Sequence, residues 1–446
     1  MPFNALGLHP LILQAIRETG YTEPTPIQAA AIPEILQGKD LIGIAQTGTG
    51  KTAAFTLPLL HLLHSRAPSR KQATRTLVLA PTRELVVQIE ENVCAYAKHV
   101  PVQITKVFGG VSERPQIQAL RAGAEMVIAT PGRLLDLMGQ RCTDFSALEH
   151  LVLDEADRML DMGFLPAIRR VVKALPQNRQ TLLFSATLSK EIEALTHDFQ
   201  RNPKLVQIGR RSNPAETVTQ WVYEVPQHLK AALLCHLLKD PAMNMVLVFT
   251  RTKHGADRLA RRLDSIGIKS GTLHANRSQN QRLRALADFR SGALQVLIAT
   301  DIASRGIDVD GISHVVNYDF PPQVEDYIHR IGRTGRAQAI GDALSFISQD
   351  DYGSLRSLER FIGRGIVRKR AEGFDYQAPP DQTRPAEQER GPRRGRPAQD
   401  HSRRPPREGA PSRGNAGGRG RPGGDATRPQ SQRRGSGGPR RRSPAR

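Results

Sequence analysis

Short apolar runs recur along most of this chain, and each breaks off into polar or charged residues. In the first half they occupy positions 40–44, 76–80, 126–129, 151–153 and 181–184, and in the second half 245–249, 295–299 and 314–318. Each run is too short for a buried helix and is rich in Val, Ile and Leu, so it reads as a strand covered on both faces. Between the runs, apolar residues fall at helical spacing, as at 11–18, where Gly20 can end the helix. Strands alternating with helices predict parallel α/β sheets, whose ligands bind outside the carboxyl ends of the strands. The rhythm pauses at Gly209-Arg210-Arg211-Ser212-Asn213-Pro214, which is polar and turn-prone, and then starts again. The pattern predicts a first domain over 1–207, a linker over 208–217 and a second domain over 218–370. The second reads as a structural repeat of the first.

The most informative break is Ala45-Gln46-Thr47-Gly48-Thr49-Gly50-Lys51-Thr52, between the first apolar run and the helical pattern at 53–57. A glycine-rich loop between strand and helix turns several backbone N–H groups into one small volume, and the helix dipole adds to the field. Such a loop holds polyphosphate, with Lys51 reaching the β- and γ-phosphates and the Thr52 hydroxyl on Mg²⁺. Ala45 stands where the general pattern has Gly. Upstream, Pro24 and Pro26 hold the backbone extended and present Gln28 at the start of a helix. Its amide both donates and accepts, which matches an adenine edge.

Asp154-Glu155 follows another strand, where a nucleotide hydrolase needs one carboxylate near Mg²⁺ and a second to accept a proton from water. In the second half, His329-Arg330-Ile331-Gly332-Arg333-Thr334-Gly335-Arg336 packs four Arg or His into eight residues. This segment reads either as a solvated basic loop or as a pair of arginine fingers, Arg333 and Arg336, reaching a γ-phosphate across a cleft. The second half has no phosphate loop.

Charge adds a partner. The chain carries a net +21 over 446 residues, and the last 66 hold 18 Arg, no Lys and 6 acidic residues, or +12. A basic body with a more basic end points to nucleic acid. From Asp381 onward there is no Val, Leu, Ile, Met or aromatic residue, so residues 371–446 are expected to form a disordered tail that tethers nucleic acid. Aromatic residues make up only 5% of the chain, which favours contacts to phosphate and sugar over base stacking. Cys94, Cys142 and Cys235 are far apart and form no zinc or disulfide pattern, which fits a reducing, cytoplasmic setting. No apolar run approaches membrane-spanning length, and no leader pattern opens the sequence.

Asp154-Glu155-Ala156-Asp157 spells the signature of the DEAD-box RNA helicases, and the chain resembles that family over roughly residues 1–370. The matching segments are the Gln28 motif, AQTGTGKT, PTREL, Gly109-Gly110, TPGR, SAT, Q-x-x-R, TDIASRGID and HRIGRTGR. The resemblance implies two tandem RecA-like domains that close on ATP and RNA, and local duplex separation on closure. It implies that Gln28 reads adenine, with Tyr21 packing near the base and Phe3 supporting from upstream. Asp154 would hold Mg²⁺ through water, Glu155 would be the general base, and Arg333 and Arg336 the fingers, with Asp308 on the ribose. RNA would run past Pro81, Thr82, Arg83, Gly110, Thr130, Arg133, Gln279, Arg282 and Thr300, while Ser185 and Thr187 would couple the two sites. Two departures are Val86, where Ala is commoner, and His274-Ala275, where His-Gly is usual. The wording PTPIQ, LDMGF and HANRSQ looks most like the bacterial RhlE-type branch, which implies ribosome-assembly or RNA-decay partners.

Overall fold

The computed structural model describes residues 2–45, 48–66, 73–208, 218–304, 309, 311–335 and 341–379. They build two seven-stranded sheets in which every pairing is parallel. The first lobe contains β1 (Leu41–Ile44), β2 (Thr76–Leu79), β3 (Ile104–Val107), β4 (Met126–Ala129), β5 (His150–Leu153), β6 (Gln180–Ser185) and β7 (Lys204–Gln207), in the order β3-β4-β2-β5-β6-β1-β7. The second contains β8 (Val218–Glu224), β9 (Val246–Phe249), β10 (Ser270–Leu273), β11 (Val296–Ala299), β12 (His314–Asn317), β13 (Gly341–Ile347) and β14 (Val367–Arg368), in the order β10-β11-β9-β12-β13-β8-β14. Counted from the first strand of each lobe, both orders read 3-4-2-5-6-1-7. The expected repeat is therefore one of topology.

The inner strands form where the pattern expects them because Leu77, Val78, Val127, Ile128, Leu151, Val152, Leu182 and Leu183 are sealed on both faces. Helices Pro26–Leu36, Lys51–Ser65 and Arg83–Tyr96 cover one face of the first sheet, where the rings of Phe55 and Phe184 meet at 5.3 Å. Helices Pro131–Gly139, Leu165–Lys173 and Lys190–Phe199 cover the other. Val86 is fully buried in the first of these layers.

The strands missing from the sequence reading have physical reasons for being missed. β3 and β7 are edges, so β3 alternates buried and half-buried residues and β7 buries only Val206. β13 lies inside the second sheet but carries Asp342 and Ser345, each satisfied by a neighbour. Trp221 Nε1 donates to Asp342 Oδ1 at 2.9 Å, and Asn317 Nδ2 donates to Ser345 Oγ at 3.1 Å.

Two boundaries need correction. The second lobe does not end at residue 370, because Ala371, Phe374, Tyr376 and Ala378 pack against its core. Phe374 and Tyr376 stack edge to face at 4.9 Å, the Arg370 guanidinium lies 4.8 Å over Tyr376, and His236 Nε2 is 2.8 Å from the Glu372 carbonyl. Two aromatics suffice to anchor this short polar stretch. Ile208, assigned to the linker, belongs to the first lobe, where its N–H donates to the Ile44 carbonyl. Residues 209–217 of the linker and 380–446 of the tail lie outside the described residues. No described helix is long and apolar enough to cross a membrane.

Candidate nucleotide site and interlobe cleft

The glycine loop leaves the end of β1 and enters helix Lys51–Ser65. Gly48 and Gly50 sit at φ +82° and +87°, a left-handed conformation that disfavours other residues. Gly50 also has no room for a side chain, since a Cβ there would collide with the Gln28 amide. Gln28 is the third residue of helix Pro26–Leu36 and completes its capping box with Thr25. Its Oε1 accepts from the Thr25 N–H at 2.9 Å, and its Nε2 donates to the Gly50 carbonyl at 3.2 Å. The Gln28 segment is thereby tied to the loop. Lys51 is buried at the first position of its helix, and its ammonium donates to the Ala45 carbonyl at 2.8 Å. Thr52 follows, half-buried, while Gln46 and Thr47 lie outside the described residues. Tyr21 is largely exposed with its hydroxyl 3.3 Å from that of Tyr96, and Phe3 is buried in the first-lobe core.

Two strands away, Asp154 emerges from β5 with 2% exposure. Burial pushes its carboxyl up to about 7, against the pull of the nearby Lys51 ammonium. Glu155 stands at φ +51°, a conformation that costs a non-glycine residue about 1–3 kcal/mol. Its Oε2 accepts from Arg158 Nη1 at 2.6 Å. Asp157 Oδ2 accepts from the N–H groups of Ala186 and Thr187 at 3.0 and 3.1 Å, and from the Thr187 hydroxyl at 3.3 Å. Burial would raise Asp157, but Lys51 and its hydrogen bonds hold it below the usual carboxylate range. Ser185, fully buried, ends β6 beside it.

The same rim carries the other segments singled out in the first lobe. Pro81 is buried, and Thr82 caps helix Arg83–Tyr96 by accepting from the Leu85 N–H at 3.2 Å. The Arg83 guanidinium lies so close to Gly110 that a Cβ there would overlap it. Thr130 precedes helix Pro131–Gly139, and Arg133 donates twice to the Val111 carbonyl.

The lobes touch along this rim. Gln279 Nε2 donates to Glu84 Oε1 at 2.8 Å, Arg282 Nη2 is 3.2 Å from Glu84 Oε2, and Arg290 Nη1 is 3.6 Å from Glu91. The structure thus places Gln279, 4% exposed, and Arg282 in a contact between lobes. Thr300 follows β11, its N–H donating to the Leu273 carbonyl. His274, beside Ala275, holds Asp257 Oδ1 at 2.8 Å.

Within the basic segment, Arg330 is a framework residue. It grips Asp301 with Nε and Nη2 at 2.6 and 2.7 Å, donates to the Asp319 carbonyl at 2.7 Å, and lies 4.9 Å over the Phe249 ring. Arg333 is 3% exposed and its Nε donates to the His329 carbonyl at 3.3 Å. Burial lowers His329, and the charges acting on it include Arg158 and Asp157 of the first lobe. Arg330, Arg333 and Thr334 are buried, so these residues do not lie in a solvated loop. Arg336 and Asp308 lie outside the described residues. Glu84 and Arg158 were missed as site residues, although both sit inside or beside the quoted motifs.

Fold and site together give two α/β lobes of one topology, with a glycine-rich strand-to-helix loop on the first and a buried basic segment on the second. Residues 25–195 match the model of the DEAD/DEAH box helicases and residues 229–338 that of the helicase conserved C-terminal domain. The chain is similar to the DEAD-box ATP-dependent RNA helicase CshA of Streptococcus pneumoniae, 42% identical over 84% of this chain and 70% of the relative. It is also similar to DEAD-box ATP-dependent RNA helicase 30 of Arabidopsis thaliana, 46% identical over 79% of this chain and 60% of the relative. Among solved structures, S. cerevisiae Dbp5 bound to RNA and ADP BeF3 matches with a TM-score of 0.74 at 31% identity, covering 82% of this chain and 95% of that one. Mss116p bound to ssRNA and AMP-PNP matches with a TM-score of 0.76 at 27% identity, covering 83% and 80%. The chain belongs to the DEAD-box ATP-dependent RNA helicases.

Proposed function

We infer that this helicase grips RNA by its sugar–phosphate backbone and couples ATP binding and hydrolysis to local strand separation or remodelling of RNA–protein complexes. The first lobe holds the triphosphate in the loop from Ala45 to Thr52, with Lys51 on the β- and γ-phosphates, and Gln28 and Tyr21 at the base. Glu155 accepts the proton of the attacking water, and Arg333 with Arg336 neutralises charge developing on the γ-phosphoryl group. Asp308 serves the ribose. RNA passes Pro81, Thr82, Arg83, Gly110, Thr130, Arg133 and Thr300. Gln279 and Arg282, through Glu84, hold the lobes together along that path, and Ser185 and Thr187 relay closure through Asp157.

The observation that carries this reading is the contact of the two lobes, with Gln279 and Arg282 of one on Glu84 of the other, within one compact unit. Turnover can be fast only when both lobes contribute, so a bound strand that favours closure stimulates hydrolysis. A Mg²⁺ ion fits the site. Among the described residues no group of three or more His, Cys, Asp or Glu could hold a metal, and the groups we assign to the ion are the Thr52 hydroxyl and the buried carboxylate of Asp154. That sparse set suits an ion whose other positions are filled by phosphate oxygens and water. When bound, such an ion neutralises phosphate charge.

The resemblance to the RhlE-type branch supports partners in ribosome assembly or RNA decay, and the cysteine usage supports a cytoplasmic setting. ATP turnover measured without nucleic acid, with single-stranded RNA and with DNA of the same sequence tests the reading. RNA alone should stimulate. Equal stimulation by DNA would remove the RNA assignment, and no stimulation by either would remove the closure mechanism.

A further inference from the structure

Arg158 stands at the reacting end of the first lobe with no task in the reading above. Its side chain is 6% exposed and that of Glu155 is 8% exposed, with Nη1 and Oε2 2.6 Å apart. A charge-assisted contact this short fixes geometry as well as charge. The terminal torsion of a glutamate is broad, so an unheld carboxylate samples many orientations. Holding Oε2 leaves Oε1 as the oxygen that can meet a water. The backbone adds to this, because the left-handed turn at Glu155 and its N–H donated to Asp154 Oδ1 at 3.0 Å fix the root of the side chain.

We propose that Arg158 is a positioning residue for hydrolysis: it clamps Oε2 of Glu155 so that Oε1 faces the attacking water. The inference rests on the reading of Glu155 as the base. In the step it serves, water oxygen bonds to the γ-phosphorus, the bond from phosphorus to the ADP oxygen breaks, and the water proton passes to Oε1. Arg158 keeps its own protons throughout. The competing account is a pair at i and i+3 that only staples the short helix Ala156–Asp161. Such pairs on exposed helices add a few tenths of a kcal/mol. A buried ion pair is seldom better for stability than an apolar pair of similar volume, so burial here is better explained by orientation.

The test uses the full-length protein and RNA-stimulated ATP turnover, with the melting temperature of each variant recorded. Arg158→Ala should lower kcat about 10- to 100-fold with little change in KM for ATP. Arg158→Lys, which keeps the cation but not the fork, should recover part of the loss and supplies the result if the alanine variant does not fold. In a Glu155→Gln background, Arg158→Ala should change residual single-turnover hydrolysis less than about twofold, since the clamp has lost its object. Full kcat in Arg158→Ala beside an inactive Glu155→Gln would overturn the clamp and leave the base in place. Equal losses in both backgrounds would locate the effect of Arg158 elsewhere, for instance at His329, and overturn it too. Normal turnover in Glu155→Gln would instead remove the base reading itself.

Discussion

The two lobes repeat one topology, and their counterpart sites have gone opposite ways. Ala45 and Val225 occupy equal places, since the Ala45 N–H donates to the Ser185 carbonyl and the Val225 N–H to the Ile347 carbonyl, each joining the first strand of its lobe to the sixth. Each strand is followed by a helix that opens on a lysine, Lys51 or Lys230. In the first lobe the intervening loop has Gly48 and Gly50 in left-handed turns, and Lys51 rests on a backbone carbonyl, a neutral partner it can exchange. In the second, Val225-Pro226-Gln227-His228-Leu229 contains no glycine, and Lys230 meets the carboxylate of Asp351 at 3.4 Å. A cleft of about 750 Å³ remains there, lined in part by Lys230, Arg251, Asp319 and Asp351. Its buried cation is already neutralised by the chain. One fold thus carries its lysine on a backbone carbonyl in the first lobe and on a carboxylate in the second.

The largest contrast should come from removing the two lysines in turn. Lys51→Ala should lower RNA-stimulated turnover by at least about 10²-fold, the scale seen when one preorganised donor to developing charge is lost. Lys230→Met should leave turnover of folded protein within about twofold but remove the nearest cation of Asp351, which keeps Ser348 and the more distant Arg251, costing the second lobe about 1–3 kcal/mol. Trp221, the single tryptophan, reports that lobe in a denaturant series followed by fluorescence. Lost turnover in a stably folded Lys230→Met would break the comparison.

Acid should separate the lobes next. His150 and His314 open corresponding strands, β5 and β12, and burial lowers both, His150 to about 4. A histidine held below its unfolded value of 6.5 contributes stability above that pH and loses it as the pH falls toward the folded value. For His150 the loss between pH 6.5 and 4 amounts to about 3 kcal/mol. His150→Gln should flatten the acid limb of first-lobe unfolding, followed by circular dichroism, with less effect on the Trp221 signal. A parallel change in both signals would mean that the lobes unfold as one.

The smallest expected effect concerns the arginine-rich end. Deleting residues 381–446 should weaken RNA binding roughly tenfold at low salt and little at high salt, because that affinity comes from released counterions. ATP turnover at saturating RNA should persist. Equal affinity with and without the segment would deny it a tethering role.

What could be read beforehand followed burial. Strands such as Met126–Ala129 are sealed on both faces, so an unbroken apolar run announces them, and the loops they feed carry the chemistry. Lys204–Gln207 faces solvent and Gly341–Ile347 carries polar groups answered by distant side chains, so neither offers a run. The nucleotide loop was legible because its residue types and spacing are local. The link from Glu84 to Gln279 was not, since it joins residues 195 apart in sequence. Arg158 sat one position past the signature and carried no motif signal, only a spacing of three from Glu155.

Gln28 braces the loop with one amide hydrogen and one of the two lone pairs on its oxygen, which leaves one hydrogen and one lone pair over. A purine offering an acceptor beside a donor could engage that remainder without loosening Gly50, whereas a base with the order reversed would set like against like. Choice of fuel and firmness of the cradle would then reside in a single amide, and losing it would blur the first while slackening the second.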